Sequence, residues 1–298
     1  EKNSVLPAEQ VSVGRQLLKY IDTDATALSP EVYRQPVAEY TCPKQSEIEI
    51  QRFFREAPLC VGLSGLLPNP GSYAADDLSG VPLLLTRDKK GQARAFLNVC
   101  RHRGAKVAQN CGRANNFVCP YHAWSYGLDG RLIARPAEES FAGIDRDSHG
   151  LTELPLVEKD GFIWVSPKPN ADFDLDKSLG KLGDELAAYN LEGYHLYKSR
   201  VLRHRMNWKL ILDTFLEAYH FCVLHKNTIC SIFHENLQTF DTYGSHFRLV
   251  SPRRTIKELR ALSEDQWHLY PHMVGVYVLF PNTVYVWQLD HVELWHIY

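Results

Sequence analysis

The 298-residue sequence has no apolar run of 18 residues, so it offers no transmembrane helix. No charged start followed by an apolar core is found, so no secretory signal is legible. There is no basic tract or stripe, and the formal net charge is −2, which argues against a nucleic-acid-binding surface. A basic amphipathic run that would mark a membrane surface is missing too, as are internal repeats and low-complexity segments. Disulfide signatures are equally scarce. The seven cysteines are odd in number and spread over a long chain, so reduced thiols or metal ligands are expected rather than a disulfide framework. A cytoplasmic protein is expected. The sequence starts at Glu1 without Met and stops at Tyr298 inside a strand-like segment, so leader residues and a C-terminal portion are expected to lie outside it.

What is present is ordinary globular composition: 45% hydrophobic and 23% charged, enough to bury a core. The length suits about two domains of roughly 150 residues. Gln10 to Tyr20 spaces Val11, Val13, Leu17 and Leu18 as a helix does, and Ser29-Pro30 punctuates the turn-rich connection after it. Glu47 to Phe54 reads as another short helix. From about Leu59 to Val165 short apolar runs alternate with turn residues. Val81 to Thr86 and Ala93 to Val99 flank Asp88-Lys-Lys-Gly91, a hairpin signal, and Gly161 to Ser166 reads as a closing strand. Beyond Pro167 the pattern changes to helices over Leu179 to Tyr189 and, longer, Asn207 to His225. Strand character then appears in His246 to Val250, Gly275 to Leu279, Val284 to Leu289 and Val292 to Tyr298.

Two constellations carry chemistry. Cys100-Arg-His102 and Cys119-Pro-Tyr-His122 are separated by sixteen residues, each offering one thiolate and one imidazole. Two thiolates suit one iron, and two imidazoles on a second iron raise the potential above that of an all-cysteine cluster. Gly104 and Pro120 fit tight loops. The plainer alternative is a structural Cys2His2 zinc site, but zinc sites commonly group the two Cys and the two His, whereas each loop here mixes one of each.

Cys100-Arg-His-Arg-Gly-Ala105 and Cys119-Pro-Tyr-His-Ala-Trp124, with Ala95 to Val99 before and Tyr126-Gly-Leu-Asp-Gly130 after, resemble the two cluster loops of the α (large) subunits of Rieske non-haem iron oxygenases, the aromatic ring-hydroxylating dioxygenase family. The resemblance implies a Rieske [2Fe–2S] cluster on Cys100, His102, Cys119 and His122.

The second constellation is Glu217-x2-His220-x4-His225. Helical spacing puts Glu217 and His220 on one face, while His225 lies about 140° further round, so both histidines reach one metal only if the helix ends, widens or bends. Two histidines and a carboxylate with open positions form the facial triad of non-haem Fe(II) oxygenases. Taken alone, Glu217 fits either a ligand or a partner that holds an imidazole by its N–H. The resemblance implies the second role: Glu217 would bridge His220 to His122 of a neighbouring protomer and carry the electron between them. His220 and His225 would ligate mononuclear Fe(II), with the third, carboxylate ligand absent from this sequence; Asp290 and Glu293 are not assigned. Asp213, one turn before Glu217, is either a tuner of that path or a simple polar contact. Glu at the bridging position also occurs in members resembling choline and carnitine oxygenases.

Among weaker signals, Tyr219 and Phe221 are expected to pack in a core before they line a pocket, and Leu216, Val223, Leu224, Phe233 and Phe240 are open candidates for an apolar lining. His204, His234 and His246 have no partner at ligand spacing and read as ordinary polar or surface residues. Arg101 and Arg103 fit either a donor-docking rim or a solvated surface.

The implied architecture is α+β: a Rieske β domain over residues 43–166, inserted in a helix-grip catalytic domain, an antiparallel sheet with covering helices. Residues 1–42 and 167–298 form that catalytic domain, incomplete at its C-terminal side. The implied activity is that of a terminal oxygenase that uses O2 to hydroxylate an organic, aromatic substrate. Electrons would come from NAD(P)H through a ferredoxin or flavin reductase, in a homotrimer or an α3β3 assembly with small β subunits. One alternative is a monooxygenase or demethylase of a quaternary ammonium compound of the choline, carnitine or betaine type. The alternative of another class is a non-catalytic Rieske electron carrier, which needs no second histidine pair.

Overall fold

The computed structural model describes residues 7–298, which divide into two units. The first comprises Glu47–Asp174, Asn190–Leu202 and Tyr298; the second comprises the N-terminal segment up to Ser46, Leu175–Tyr189 and Arg203–Ile297. In sequence, the first unit is thus inserted in the second.

The inserted unit is built from short strands: β1 (Leu59–Leu63), β2 (Ser72–Asp76), β3 (Leu83–Arg87), β4 (Ala93–Leu97), β5 (Cys111–Arg113), β6 (Asn116–Val118), β7 (Ser125–Gly127), β8 (Leu132–Ala134), β9 (Glu153–Leu154), β10 (Leu156–Lys159) and β11 (Phe162–Val165). They form three antiparallel sheets ordered β1-β11-β10, β5-β2-β3-β4-β9 and β6-β7-β8. Turn chemistry sets the strand ends. The expected Asp88–Gly91 turn joins β3 to β4, with Asp88 Oδ1 accepting from the N–H groups of Lys90 and Gln92 at 2.8 and 2.9 Å. Gly130 turns at φ +79°, where a Cβ would lie 2.4 Å from the Phe96 ring, so no other residue fits there. Phe96, Phe117, Trp124, Tyr126, Leu128 and Leu132 form a core that also contains Cys100 and Cys119.

The second unit holds the helices α1 (Pro7–Thr23), α2 (Ala38–Thr41), α4 (Leu175–Leu179), α5 (Lys181–Ala187), α6 (Lys209–Phe215) and α7 (Phe221–Leu224); α3 (Pro43–Glu49) crosses the boundary and continues in wider turns to Glu56. Its sheet is an antiparallel meander of β12 (Thr239–Tyr243), β13 (His246–Pro252), β14 (Met273–Leu279), β15 (Thr283–Gln288) and β16 (His291–His296), paired in sequence order. Both faces of this sheet are covered, which explains why β14 and β15 read as nearly continuous apolar runs. On one face Leu249, Val274, Val276, Val278, Val284 and Val286 pack with Trp208, Ile211, Phe215 and Phe221 of the α6–α7 region. On the other, Tyr277 and Arg248 meet Glu185 of α5. The apolar stripe of α1 (Val13, Leu17, Leu18) packs on Ile256, Leu259, Leu269 and Met273.

The helix expected over Asn207 to His225 is interrupted. α6 ends at Phe215, and α7 is a single turn bounded by His220 and His225. Tyr219 is exposed rather than packed in the core, and Val223 and Leu224, candidates for an apolar lining, are exposed as well. His246 is buried in the core rather than on the surface.

Candidate metal centres

The two Cys/His loops are built alike. In the first, which leaves β4, the Cys100 N–H donates to Ala105 O at 2.8 Å and the Gly104 N–H to Cys100 O at 2.9 Å. In the second, the β6–β7 hairpin, the Cys119 N–H donates to Trp124 O at 2.8 Å and the Ala123 N–H to Cys119 O at 3.0 Å. The fourth residue after each cysteine takes positive φ: Gly104 at +79° and Ala123 at +56°. Each loop thus turns its cysteine into the core and carries its histidine at the tip. The first loop is further held by Asn98, whose Oδ1 accepts from Val107 N–H at 3.0 Å and Ala108 N–H at 3.1 Å.

Both cysteines are free and buried. Burial raises the Cys119 thiol pKa, and the neighbouring Cys100 thiol adds to the rise. The imidazoles of His102 and His122 lie with ring centroids 4.6 Å apart. Trp124 stacks on His102 at 5.0 Å and Tyr121 on His122 at 3.9 Å. Burial lowers the His102 pKa, helped by His122 and Arg103. The Nδ1 atoms of His102 and His122 are buried with no hydrogen-bond partner. Two buried polar nitrogens left open beside two adjacent thiols are anomalous for a protein core and fit a bound group with two thiolate and two imidazole positions.

In the second unit the interruption after α6 brings the other histidine pair together. His220 precedes α7, His225 ends it, and their ring centroids are 5.2 Å apart. Glu217 grips His220 twice. One carboxylate oxygen accepts from the His220 backbone N–H at 3.1 Å, and the other meets the ring at Nδ1. That contact leaves Nε2 as the ring nitrogen open to a metal. Asp213 does something else: its Oδ2 accepts from the Tyr40 hydroxyl at 2.7 Å. Asp290 is bonded to His291, and Glu293 accepts from the Trp295 indole.

Two family models match the chain: "Rieske [2Fe-2S] domain" over residues 57–155 and "Ring hydroxylating alpha subunit (catalytic domain)" over residues 191–298. The chain belongs to the Rieske oxygenase α-subunit family. It is 32% identical over 200 residues to the glycine betaine monooxygenase oxygenase subunit of Chromohalobacter salexigens, covering 66% of this chain and 44% of that one. It is 34% identical over 193 residues to the carnitine monooxygenase oxygenase subunit of Escherichia coli K12, covering 64% and 51%. A solved structure of the quaternary ammonium Rieske monooxygenase CntA matches with a TM-score of 0.77 at 22% identity, covering 91% of this chain and 75% of that one, a likeness of fold. The chain spans about half the length of the curated relatives it matches. A Rieske domain carries a [2Fe–2S] cluster, and the ring-hydroxylating catalytic domain uses mononuclear iron and O2.

Sequence reasoning missed some of what surrounds these Rieske oxygenase centres. Arg135, buried, bonds Glu138 at 2.7 Å and lies 5.2 Å over the ring of Phe141, which meets His102 edge-on at 5.9 Å. Its spacing from the histidines carried no signal. Cys222 and Cys230 form a disulfide, against the expectation of reduced thiols, and it bridges the segment that holds His225. Two cysteines eight apart were the available cue. No helix among the described residues is long and apolar enough to cross a membrane.

Proposed function

We propose that the chain is the catalytic part of a terminal oxygenase that hydroxylates the N-methyl group, or an adjacent C–H bond, of a quaternary ammonium compound. The observation that carries this reading is the grip of Glu217 on His220 beside His225. The substrate class follows the likeness to the carnitine and glycine betaine oxygenase subunits. Cys100, His102, Cys119 and His122 would hold the cluster, and His220 and His225 would hold iron. When bound, the cluster relays single electrons and the mononuclear iron activates O2. One oxygen atom enters the C–H bond and the other leaves as water, with two electrons from a partner reductase or ferredoxin and two protons.

The residues of this chain prepare that chemistry. Glu217 fixes the orientation of the His220 imidazole and presents Nε2 outward. Phe215, Phe221, Phe233 and Trp295 give the same side of the sheet an apolar lining that excludes water. Trp124, Tyr121 and Phe141 shield the Rieske histidines. The half-exposed Glu217 carboxylate suits a bridge to His122 of another protomer, in a trimer or an α3β3 assembly. Cytoplasmic NAD(P)H would supply the reductase.

The test uses purified protein with a reductase. Expected are the EPR signal of a His2Cys2 cluster, a separate mononuclear iron, and oxygen uptake with betaines, carnitine or choline. Glu217→Gln should keep the cluster signal and lower turnover at least a hundredfold. A cluster without second iron would make the protein an electron carrier, and uptake with arenes or aromatic acids alone would favour ring hydroxylation.

A further inference from the structure

Strand β13 and the residue that follows it carry two arginines of opposite circumstance. Arg248, on the face towards α5, is surrounded by carboxylates: Glu185 at 2.5 Å, Asp241 at 2.9 Å and Glu9 at 3.1 Å. Arg253 continues the line of the strand one residue past its end, where it pairs with Phe233 in an isolated bridge. Alternation puts it on the face of Leu249 and Ser251, the face that packs towards α6 and α7. There it forms no ion pair among the described residues. Its Nε donates to Met273 O at 3.3 Å and its Nη2 to Gln288 Oε1 at 3.4 Å, both long contacts. The one acid that acts on it, Asp290, is exposed and bonded to His291. Burial lowers the Arg253 pKa, the mark of a cation short of a counter-charge. Two residues earlier on the same face, the fully buried Ser251 hydroxyl has no hydrogen-bond partner.

A series of ring contacts leads from this cation to the histidine pair. The Arg253 guanidinium lies 4.9 Å over the Phe233 ring, Phe233 meets Phe221 at 5.8 Å, and Phe221 meets His220 at 5.2 Å. The chain leaving His225 is folded back by the Cys222–Cys230 disulfide, and Arg254 Nη2 reaches Cys230 O at 3.3 Å.

We propose that Arg253, with Gln288 beside it, binds the carboxylate of a zwitterionic quaternary ammonium substrate, so that this oxygenase takes betaine-type or carnitine-type compounds in preference to choline. The inference rests on the proposed quaternary ammonium activity and narrows it. A guanidinium matches a carboxylate in a planar, two-pronged contact. The Phe221 ring, one contact nearer His220, suits the ammonium end of the same molecule. A cation lacking a carboxylate would meet the Arg253 charge uncompensated, and that repulsion provides the discrimination.

The experiment compares glycine betaine, its methyl ester and choline on the reductase-coupled holoenzyme, in wild type, Arg253→Gln and Arg253→Lys. Wild type should bind the betaine at least tenfold more tightly than the ester, by calorimetry and by KM. In Arg253→Gln that ratio should fall towards one, through KM rather than kcat, with cluster and iron content unchanged. Arg253→Lys should retain part of the ratio. If Arg253→Gln does not fold, the wild-type ratio and the lysine variant still decide. An ester that binds as well as the betaine, or an equal penalty in wild type and variants, overturns this assignment alone. Failure of every quaternary ammonium compound to bind overturns the functional reading with it.

Discussion

The hydroxyl of Tyr126 distinguishes Cys100 from Cys119. It lies 3.3 Å from Cys100 Sγ and accepts the Arg101 backbone N–H at 3.0 Å. With its oxygen so engaged, the phenolic proton is left to point at the sulfur, and burial holds the phenol in its protonated form. A hydrogen bond to a cluster sulfur stabilises the more negative, reduced state. Tyr126→Phe is therefore expected to lower the Rieske potential by roughly 50 mV, the equivalent of about 1 kcal/mol for one hydrogen bond. A potentiometric EPR titration measures it, and an unchanged potential would remove the tuning role. At this scale the sequence was most legible where a loop is short. Cys-x-His and Cys-x2-His force their side chains together with little help from the rest of the chain. Arg135 and Glu138 were not legible, because their place beside Phe141 depends on how distant turns pack. Glu217 was partly legible: its three-residue spacing from His220 gave the contact, although a turn delivers it rather than a helix.

The element that decides the second centre is the interruption between α6 and α7. A continuous helix would set His220 and His225 on diverging faces, and the sequence spacing already demanded a break. Its position was not readable, because nothing between Leu216 and Tyr219 is a Gly or Pro. The turn after α7 is cross-linked by Cys222–Cys230, a closed loop containing His225. A link of this span restrains the open chain by about 2.5 kcal/mol. Reduction, or Cys222→Ser, is expected to loosen the histidine pair and lower retained mononuclear iron several-fold, with the Rieske absorbance intact. Iron-to-protein ratios after gel filtration, with and without reductant, check this; equal iron content would leave the bridge a purely structural clasp.

Across the whole molecule, the passage from helical spacing to short strands and back was readable as a change of pattern, whereas the insertion of one unit in the other came only with the family resemblance. The burial of both faces of the five-stranded sheet was less so, since its polar core residues resemble surface ones until their partners are known. His246 is the instructive case. Its Nδ1 accepts from the Phe280 N–H at 3.0 Å, and burial lowers its pKa to about 4. A histidine depressed in the fold takes up its proton more readily when unfolded. Stability is therefore full above the unfolded value near 6.5 and is lost as pH falls through the window down to the folded value. Between pH 7 and pH 4.5 this group should remove about 2.5 kcal/mol, measured by urea unfolding at each pH. His246→Asn should flatten that dependence; a slope unchanged by the substitution would assign the acid sensitivity elsewhere.

The sheet of the second unit also has a margin. β16 hydrogen-bonds to β15 on one side, and its other side meets no further strand among the described residues. Open strand edges recruit strands from other chains, and proteins usually blunt them with charge. Along His291–His296 the one acidic side chain is Glu293, and it is engaged by Trp295. For the chain as given, pairing along this margin would grow with concentration, which light scattering over a dilution series measures.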